Sequence, residues 1–224
     1  MMRRNSVLYS MTKWVVQITF SLIYRIEIRS REPFPSRGPA IILPKHQYWT
    51  DIPLVCLSFH FPLLFVAKRE LFRYPGVRTL LSLLGGIPLD RERSIRTLDS
   101  FRYLLSRLKA AERIVIFPEG TYFRGHVGSG KSRLVQMVLK YQKESLQSIP
   151  FIPMGIRYGE RVGWRRRVEI CIGSPLFGEG ESDADILTRQ AMDEISCLCR
   201  MPRQSCEFGV QSSESQRETL RSSN

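Results

Sequence analysis

The sequence has few residues from which to build a metal site or a disulfide framework. It contains five cysteines, an odd number, and three histidines among 224 residues. Cys197 and Cys199 are separated by one residue, which is too close for a zinc-binding pair, and no histidine follows them. We therefore expect no metal cofactor, and reduced thiols such as those of a protein that faces the cytosol.

Long apolar runs are also scarce. The first apolar stretch, residues 7–24, has Lys13 near its middle and makes a poor membrane span. It lacks a small-residue cleavage site, so we expect no cleavable signal peptide. Ser10, Lys13, Gln17 and Ser21 form a narrow polar stripe on an otherwise apolar helix. Nearby arginines and aromatic residues favour an amphipathic helix in the membrane interface, and a helix buried against the domain is the alternative.

Acidic residues are few outside the C-terminal part of the chain. The net charge is +13, and residues 178–224 carry nine acidic and five basic side chains. Residues 1–177 therefore carry 29 basic and 12 acidic side chains, a net charge of +17. Such a body needs a polyanionic partner. Because no zinc finger, RNP-like strand motif or clear helix-turn-helix pattern is present, we expect an anionic membrane surface or a phosphorylated substrate and no nucleic acid.

Apolar segments alternate with amphipathic segments along the middle of the chain. Strands are predicted at 40–44, 63–67, 86–89, 113–117, 150–158 and 166–172, and helices at 51–59, 69–84, 94–111, 132–143 and 183–200. This alternation predicts an α/β fold with a mixed, largely parallel sheet covered by helices. We divide the chain into an N-terminal membrane-associating helix (1–30), one α/β domain (31–202) and a polar tail (203–224) that we expect to be disordered.

His46 and Asp51 place an imidazole and a carboxylate five positions apart, directly after a predicted strand. Five residues of helix turn about 500°, so on one helix the two side chains would lie roughly 140° apart and could not meet. They can meet if His46 lies in a loop and Asp51 opens a helix, for which Thr50 is a fair N-cap. The pair would then be the base half of a Ser-His-Asp triad without its serine, and the substrate would supply a hydroxyl nucleophile. A helix-start carboxylate beside an unrelated surface histidine is the alternative.

Four segments stand out: His46-x4-Asp51, Gly86-Ile-Pro-Leu-Asp90-Arg91, Phe117-Pro-Glu-Gly-Thr121 and the proline-flanked strand 150–153. Together they resemble the ordered motifs of the glycerolipid acyltransferase family, which includes 1-acylglycerol-3-phosphate acyltransferases. The resemblance covers roughly residues 38–175. The first and third motifs carry most of it, because they occur in order about 70 residues apart.

The resemblance implies that residues 31–202 form an acyltransferase domain in which His46 is the general base and Asp51 orients it. The acceptor would be a lysophospholipid, most simply 1-acylglycerol 3-phosphate, and the product phosphatidic acid. The donor would be acyl-CoA or acyl-carrier protein, and no further cofactor would be needed. The protein would be peripheral or monotopic and would act at the cytoplasmic face of a membrane. The residues implied in acceptor binding are Arg91, Glu119, Gly120, Thr121 and Arg124.

The third motif departs from the family pattern at one position. Many members have an arginine directly after Glu-Gly-Thr, whereas here Tyr122 and Phe123 precede Arg124. This leaves the acceptor open, with glycerol 3-phosphate, another lysophospholipid or a lyso-aminolipid as alternatives.

Residues 125–132 also match the P-loop pattern Gly-x4-Gly-Lys-Ser, so a nucleotide-binding protein is a remote alternative. A P-loop leaves its strand directly, but the nearest predicted strand ends at Phe117. The other possibilities are a loop near the site in which Lys131 meets a phosphate, and a solvated turn before the next helix. A basic, non-catalytic membrane or nucleic-acid binder is a further alternative.

Overall fold

The computed structural model describes residues 6–35, 38–83, 86–89 and 95–204. Within these ranges the α-helices are α1 (Ser6–Ile23), α2 (Asp51–Leu57), α3 (Pro75–Leu83), α4 (Ile95–Lys109), α5 (Arg133–Ser145) and α6 (Ala184–Cys199). The strands are β1 (Tyr24–Ser30), β2 (Ala40–Pro44), β3 (Leu63–Lys68), β4 (Gly86–Leu89), β5 (Arg113–Val115), β6 (Phe151–Val162) and β7 (Arg165–Ile172). Short 3-10 helices occupy Arg69–Arg73 and Glu181–Asp183.

The strands form one sheet in the order β1-β7-β6-β2-β5-β3-β4. β6 and β7 are an antiparallel hairpin, and every other neighbouring pair is parallel. The predicted α/β fold with a mixed, largely parallel sheet is therefore confirmed. β2 lies between β6 and β5, and its five residues are all buried, as expected for a central strand covered on both faces.

Two apolar clusters fill the two faces of the sheet. Because side chains alternate along a strand, Ile41 points into one cluster and Ile42 into the other. The first cluster contains apolar residues of α4, α5 and α6, and the second contains those of α1 and α2. Burial of one Ile or Leu side chain contributes about 1.5–3 kcal/mol, so both faces hold the sheet in place.

The N-terminal segment contributes a strand that the sequence analysis did not anticipate. Tyr24–Ser30 pairs in parallel with β7, so part of residues 1–30 belongs to the sheet. The predicted helix is present as α1, and Tyr9 and Phe20 are buried against the domain. None of the helices in the described ranges is long and apolar enough to cross a membrane. The predicted disordered tail falls mostly on residues 205–224, outside the described ranges, and the division of the chain stays a prediction.

The parallel strands bring the sequence motifs to one edge of the sheet. β2 and β5 run side by side, and the first and third motifs follow their carboxyl ends. β3 also ends at this edge, since it pairs in parallel with β5. Loops at the carboxyl ends of parallel strands are where binding sites of α/β folds form.

Candidate active site

His46 and Asp51 meet as the spacing predicted. The chain leaves β2 at Pro44, His46 lies in the loop that follows, and Asp51 is the first residue of α2. Nδ1 of His46 lies 3.1 Å from Oδ2 of Asp51. An ionised carboxylate only accepts hydrogen bonds, so Nδ1 carries the proton. Nε2 is then unprotonated and can accept a proton from a substrate.

Asp51 is completely buried, and its carboxylate is held by backbone donors of its own loop. The N–H groups of Gln47 and Tyr48 donate to Oδ2 over 2.5 and 2.7 Å. Charge-assisted hydrogen bonds of this kind repay part of the cost of burying the charge. Asp51 also opens α2, where the positive end of the helix dipole favours a carboxylate.

Tyr158 on β6 fixes the other oxygen of Asp51. Its hydroxyl donates to Oδ1 over 2.6 Å, and the Thr50 hydroxyl lies 2.7 Å from the Tyr158 oxygen. Burial, and then the charge of Asp51, raise the pKa of the Tyr158 hydroxyl, which therefore remains a donor at neutral pH. Thr50 is the N-cap residue of α2, as predicted, but its side chain does not cap the helix and bonds to Tyr158 instead.

Aromatic rings hold the His46 imidazole on two sides. The ring of Phe117 is stacked on it at a centroid distance of 3.9 Å, and the ring of Tyr122 lies tilted at 4.4 Å. Burial, and then the charge of Asp51, raise the pKa of the Tyr122 hydroxyl. Phe117 begins the third motif and Tyr122 directly follows it, so this segment shapes the surroundings of His46 in the first motif.

Lys45 and Glu119 form an ion pair beneath the His46 loop. Both side chains are fully buried, and Nζ of Lys45 lies 2.8 and 2.9 Å from the two carboxylate oxygens. Nζ also donates to the carbonyl oxygen of Phe123 over 2.7 Å. The backbone N–H of His46 donates to Oε2 of Glu119 over 2.8 Å. The pair therefore fixes the backbone that carries the His46 imidazole.

Glu119 also binds the loop that resembles a P-loop. The N–H of Gly128 donates to its Oε1 over 2.8 Å, so a carboxylate of the protein accepts a hydrogen bond that a nucleotide phosphate would accept in a P-loop. The N–H of Lys131 donates to the carbonyl oxygen of Pro118 over 2.9 Å. The strand before the loop is β5, which ends at Val115, well before Gly125. The loop thus lacks the strand-to-helix geometry of a phosphate cradle.

A cavity of about 330 Å³ opens beside His46. Much of its wall is apolar and comes from β3, α4, α5 and the segment after β5, including Phe65, Val66, Phe101, Ile116, Leu134 and Met137. Three basic residues, Lys68, Lys131 and Arg133, also line it. The His46 imidazole therefore shares one cavity with a largely apolar wall and several cationic side chains. Among the described residues, no group of three or more His, Cys, Asp or Glu side chains is placed to hold a metal ion.

The residues predicted to bind the acceptor are distributed unevenly around this cavity. Gly120 and Thr121 line it, and Gly120 has a φ of +69°, a conformation that favours glycine. Arg124 is exposed, with its guanidinium 4.8 Å from the ring of Tyr48 near the site. Glu119 is buried in its ion pair with Lys45 and does not line the cavity, so it is placed to support the His46 loop rather than to bind the acceptor directly. Arg91 lies outside the described residues.

Several residues of the site were not identified from the sequence. Lys45 stands directly before His46, but a lysine at the end of a strand is usually solvated, and nothing in the local pattern predicts its burial. Tyr158 is 107 positions from Asp51, and only the pairing of β2 with β6 brings it close. Lys68 is the last residue of β3, and its place at the carboxyl end of an apolar run was the available signal.

The comparisons with known proteins agree with this geometry. The sequence matches the Acyltransferase family over residues 25–157. The chain is 26% identical over 200 residues to a chloroplastic 1-acyl-sn-glycerol-3-phosphate acyltransferase of Arabidopsis thaliana, with 86% of this chain and 54% of the relative covered. It is 22% identical over 170 residues to a 1-acyl-sn-glycerol-3-phosphate acyltransferase of Bacillus subtilis, with 75% of this chain and 82% of the relative covered.

A solved structure has the same fold. The crystal structure of the 1-acyl-sn-glycerophosphate acyltransferase of Thermotoga maritima matches with a TM-score of 0.60 and 22% identity, over 88% of this chain and 81% of that one. The chain spans about half the length of the plant relatives that it matches. The family match includes the His46–Asp51 loop and the third motif, and on this basis the chain belongs to the Acyltransferase family.

Proposed function

We propose that this chain transfers a fatty acyl group from a thioester donor to the free hydroxyl of 1-acylglycerol 3-phosphate, and so makes phosphatidic acid. The observation that carries the proposal is the His46–Asp51 pair at the cavity, with Nδ1 and Oδ2 3.1 Å apart. No serine or cysteine occurs among the described residues that line the cavity. A histidine base without the serine or cysteine nucleophile of a hydrolase supports a reaction in which the acceptor's hydroxyl is the nucleophile.

The reaction needs two proton transfers, one to His46 and one from it. Nε2 of His46 takes the proton from the acceptor hydroxyl while its oxygen attacks the thioester carbonyl, and Asp51 stabilises the resulting imidazolium. The tetrahedral intermediate collapses, the carbon–sulfur bond breaks, and the thiolate leaves. Thiols have a pKa of about 8.5, so the thiolate is a good leaving group, and it takes the proton from His46. General-base catalysis of this kind contributes about 10²–10⁴ in rate.

The cations around the cavity support binding of a phosphorylated acceptor. Lys68 and Lys131 line the same cavity as His46, and Arg124 lies beside Tyr48. A phosphate held by these side chains would leave the acceptor's acyl chain to the apolar wall. Arg91, in the second motif, is proposed as a further phosphate ligand on the resemblance alone. Gly120 and Thr121 line the cavity. Glu119 lies outside the cavity and supports this segment through its buried ion pair with Lys45.

A lyso-aminolipid is a second acceptor with a specific observation in its favour. The chain is 30% identical over 112 residues to a lyso-ornithine lipid O-acyltransferase of Pseudomonas aeruginosa, with 50% of this chain and 41% of the relative covered. Tyr122 stands at the position where many family members have an arginine, and it packs against His46. The same base would serve both acceptors, and only the head group would differ.

We also propose that the chain works at the cytoplasmic face of an anionic membrane, and helix α1 supports the contact with a membrane. One side of it packs on the domain, and the outward side presents exposed apolar residues at helical spacing: Met11, Trp14, Val15, Ile18 and Leu22. Such a stripe suits the membrane interface. Replacing Trp14, Ile18 and Leu22 with serine is expected to reduce flotation with vesicles that contain phosphatidylglycerol. Unchanged flotation would remove α1 from the proposal.

The test of the function is an acceptor panel. Purified protein in detergent is given palmitoyl-CoA or palmitoyl-carrier protein, with 1-acylglycerol 3-phosphate, glycerol 3-phosphate, lysophosphatidylcholine or a lyso-ornithine lipid, and the products are identified by mass spectrometry. The proposal expects phosphatidic acid at the highest rate. A product from the lyso-ornithine lipid alone would assign the second acceptor. Absence of any acylated product with either donor would overturn the acyltransferase assignment.

A further inference from the structure

The β6–β7 hairpin ends in an exposed tryptophan held by a tight turn. Val162 pairs with Arg165, so Gly163 and Trp164 are the two turn residues, and Gly163 has a φ of +65°, which suits glycine at the first position of such a turn. The Trp164 side chain is 81% exposed, and Val162 is exposed beside it. A two-residue turn between paired strands presents Trp164 at a defined place, at the cost of leaving a large apolar ring in water.

The same tip carries positive charge without matching carboxylates. Arg161, Arg165 and Arg166 are exposed, and among the described residues no carboxylate forms an ion pair with any of them. Farther down the hairpin, Arg157 and Arg167 are paired with Glu169. The hairpin also carries Glu160, another exposed side chain, so the unpaired arginines at the tip outnumber nearby acids.

The hairpin tip projects beyond the active site on the same edge of the sheet. Tyr158, which binds Asp51, precedes Val162 by four residues of β6, a length of about 13 Å in an extended strand. β1 pairs with β7 so that Tyr24 lies opposite Arg166, which places the end of α1 beside the tip. The outward apolar stripe of α1 thus ends near the hairpin.

We propose that the hairpin tip is a second membrane contact, in which Trp164 enters the interface of an anionic bilayer and Arg161, Arg165 and Arg166 meet lipid phosphates. This inference rests on the proposed work of the chain at a membrane. Tryptophan flanked by cations is the usual side-chain set of the membrane interface. An acidic carrier protein or a nucleic acid would also meet the arginines, but neither accounts for the exposed apolar stripe of α1 that ends beside the tip. Within the hairpin the Trp164 ring meets the Arg165 guanidinium, which lies 6.0 Å from the ring centroid. When α1 and the hairpin tip both lie in the membrane interface, the active-site edge of the sheet faces the lipid that contains the acceptor.

Trp164 can be observed directly, because the chain has three tryptophans and the other two, Trp14 and Trp49, are exposed. In a Trp14→Phe/Trp49→Phe variant, Trp164 is the sole tryptophan. We expect its emission to shift to the blue with phosphatidylglycerol vesicles, to be quenched by lipids brominated near the head group, and to be protected from iodide. Emission unchanged by vesicles, while the protein floats with them, would overturn the hairpin contact and leave the proposed acyl transfer standing.

The arginines have a matched control at the opposite edge of the sheet. Arg161→Gln/Arg165→Gln/Arg166→Gln removes three charges at the tip, and Lys109→Gln/Lys140→Gln/Lys143→Gln removes three exposed charges from α4 and α5. Each cation near an anionic surface raises the affinity for that surface about fivefold. The tip variant should therefore lose about 100-fold in affinity for vesicles, and the control variant should lose little. Acyl transfer in detergent should survive in both variants. Equal losses, or a loss confined to the KM of a carrier-protein donor or to RNA binding, would contradict the proposal.

Discussion

Nζ of Lys45 and Oε1 of Glu119 lie 2.8 Å apart in an ion pair from which water is excluded. Lys45 directly precedes His46 of the first motif, and Glu119 is the acid of the third motif. The Glu119 carboxylate also accepts from the backbone N–H of His46 and of Gly128. The pair therefore ties the His46 loop to the loop that carries Lys131, and neither of its side chains lines the cavity beside His46.

Replacement of Lys45 by methionine is expected to destabilise the fold strongly. Removal of one partner of a buried ion pair costs about 3–5 kcal/mol, because it leaves the other charge buried without compensation. For a domain of this size we expect a fall in melting temperature of about 10 °C. Thermal unfolding followed by circular dichroism measures it, with Lys143→Met on exposed α5 surface as the control. The double variant Lys45→Met/Glu119→Gln should recover part of the loss, and no recovery would contradict the pairing.

Removal of the Tyr158 hydroxyl is expected to lower kcat and leave KM unchanged. Tyr158→Phe loses the donor to Oδ1 of Asp51, a bond to a charged group worth about 1.5–3 kcal/mol, and frees the carboxylate to turn from His46. We expect kcat to fall about tenfold. Tyr24→Phe is the matched control, since its ring packs on Tyr158 without a bond to Asp51. A rise in acceptor KM at normal kcat would show that Tyr158 binds substrate rather than positions the base.

Removal of the Lys131 side-chain charge is expected to weaken binding of the phosphorylated acceptor. Lys131 lines the cavity beside His46, so Lys131→Ala should raise the acceptor KM about tenfold, with a smaller effect on the donor. Lys140→Ala, on the exposed face of α5, is the control. ATP or GTP binding that disappears in Lys131→Ala, with acyl transfer intact, would instead support a P-loop function.

The thiols of α6 should differ sharply in reactivity. Burial raises the pKa of the Cys199 thiol to about 12, whereas Cys197, two residues away, is exposed. Iodoacetamide at about pH 9 should label Cys197 and spare Cys199, as read by peptide mass spectrometry. Because an unfolded cysteine ionises near 9.0, Cys199 favours the folded state below that pH and loses this contribution as pH rises toward about 12. Equal labelling of both cysteines in folded protein would contradict the packing of α6.

The sequence was sufficient to predict elements with strong local signals. The buried runs at β2 and β5 and the long amphipathic helices came from periodicity, and the His46–Asp51 contact came from spacing and the helix start at Asp51. β1 was missed, although its isoleucines at 26 and 28 alternate with charged residues in the two-residue period of a strand. The short strand follows directly on an apolar helix, and the helix signal dominated.

The supports of the site depended on contacts far apart in the chain. The resemblance implied a role for Glu119 in acceptor binding, but its partner in the structure is Lys45, 74 positions away. Tyr158 and Thr50 form a hydrogen bond across 108 positions. Local propensity contains no term for such pairs, because they exist only after the order of β6, β2 and β5 in the sheet is set.

Acceptor-dependent thiol release by the native protein and by His46→Ala is the most direct test of the central claim, that His46 is the general base. Free thiol from palmitoyl-CoA is followed with and without 1-acylglycerol 3-phosphate, and the fold of the variant is checked by its melting temperature. We expect release that requires the acceptor and falls by about 10²–10⁴ in the variant. Acceptor-dependent release at the native rate in folded His46→Ala protein would contradict the claim.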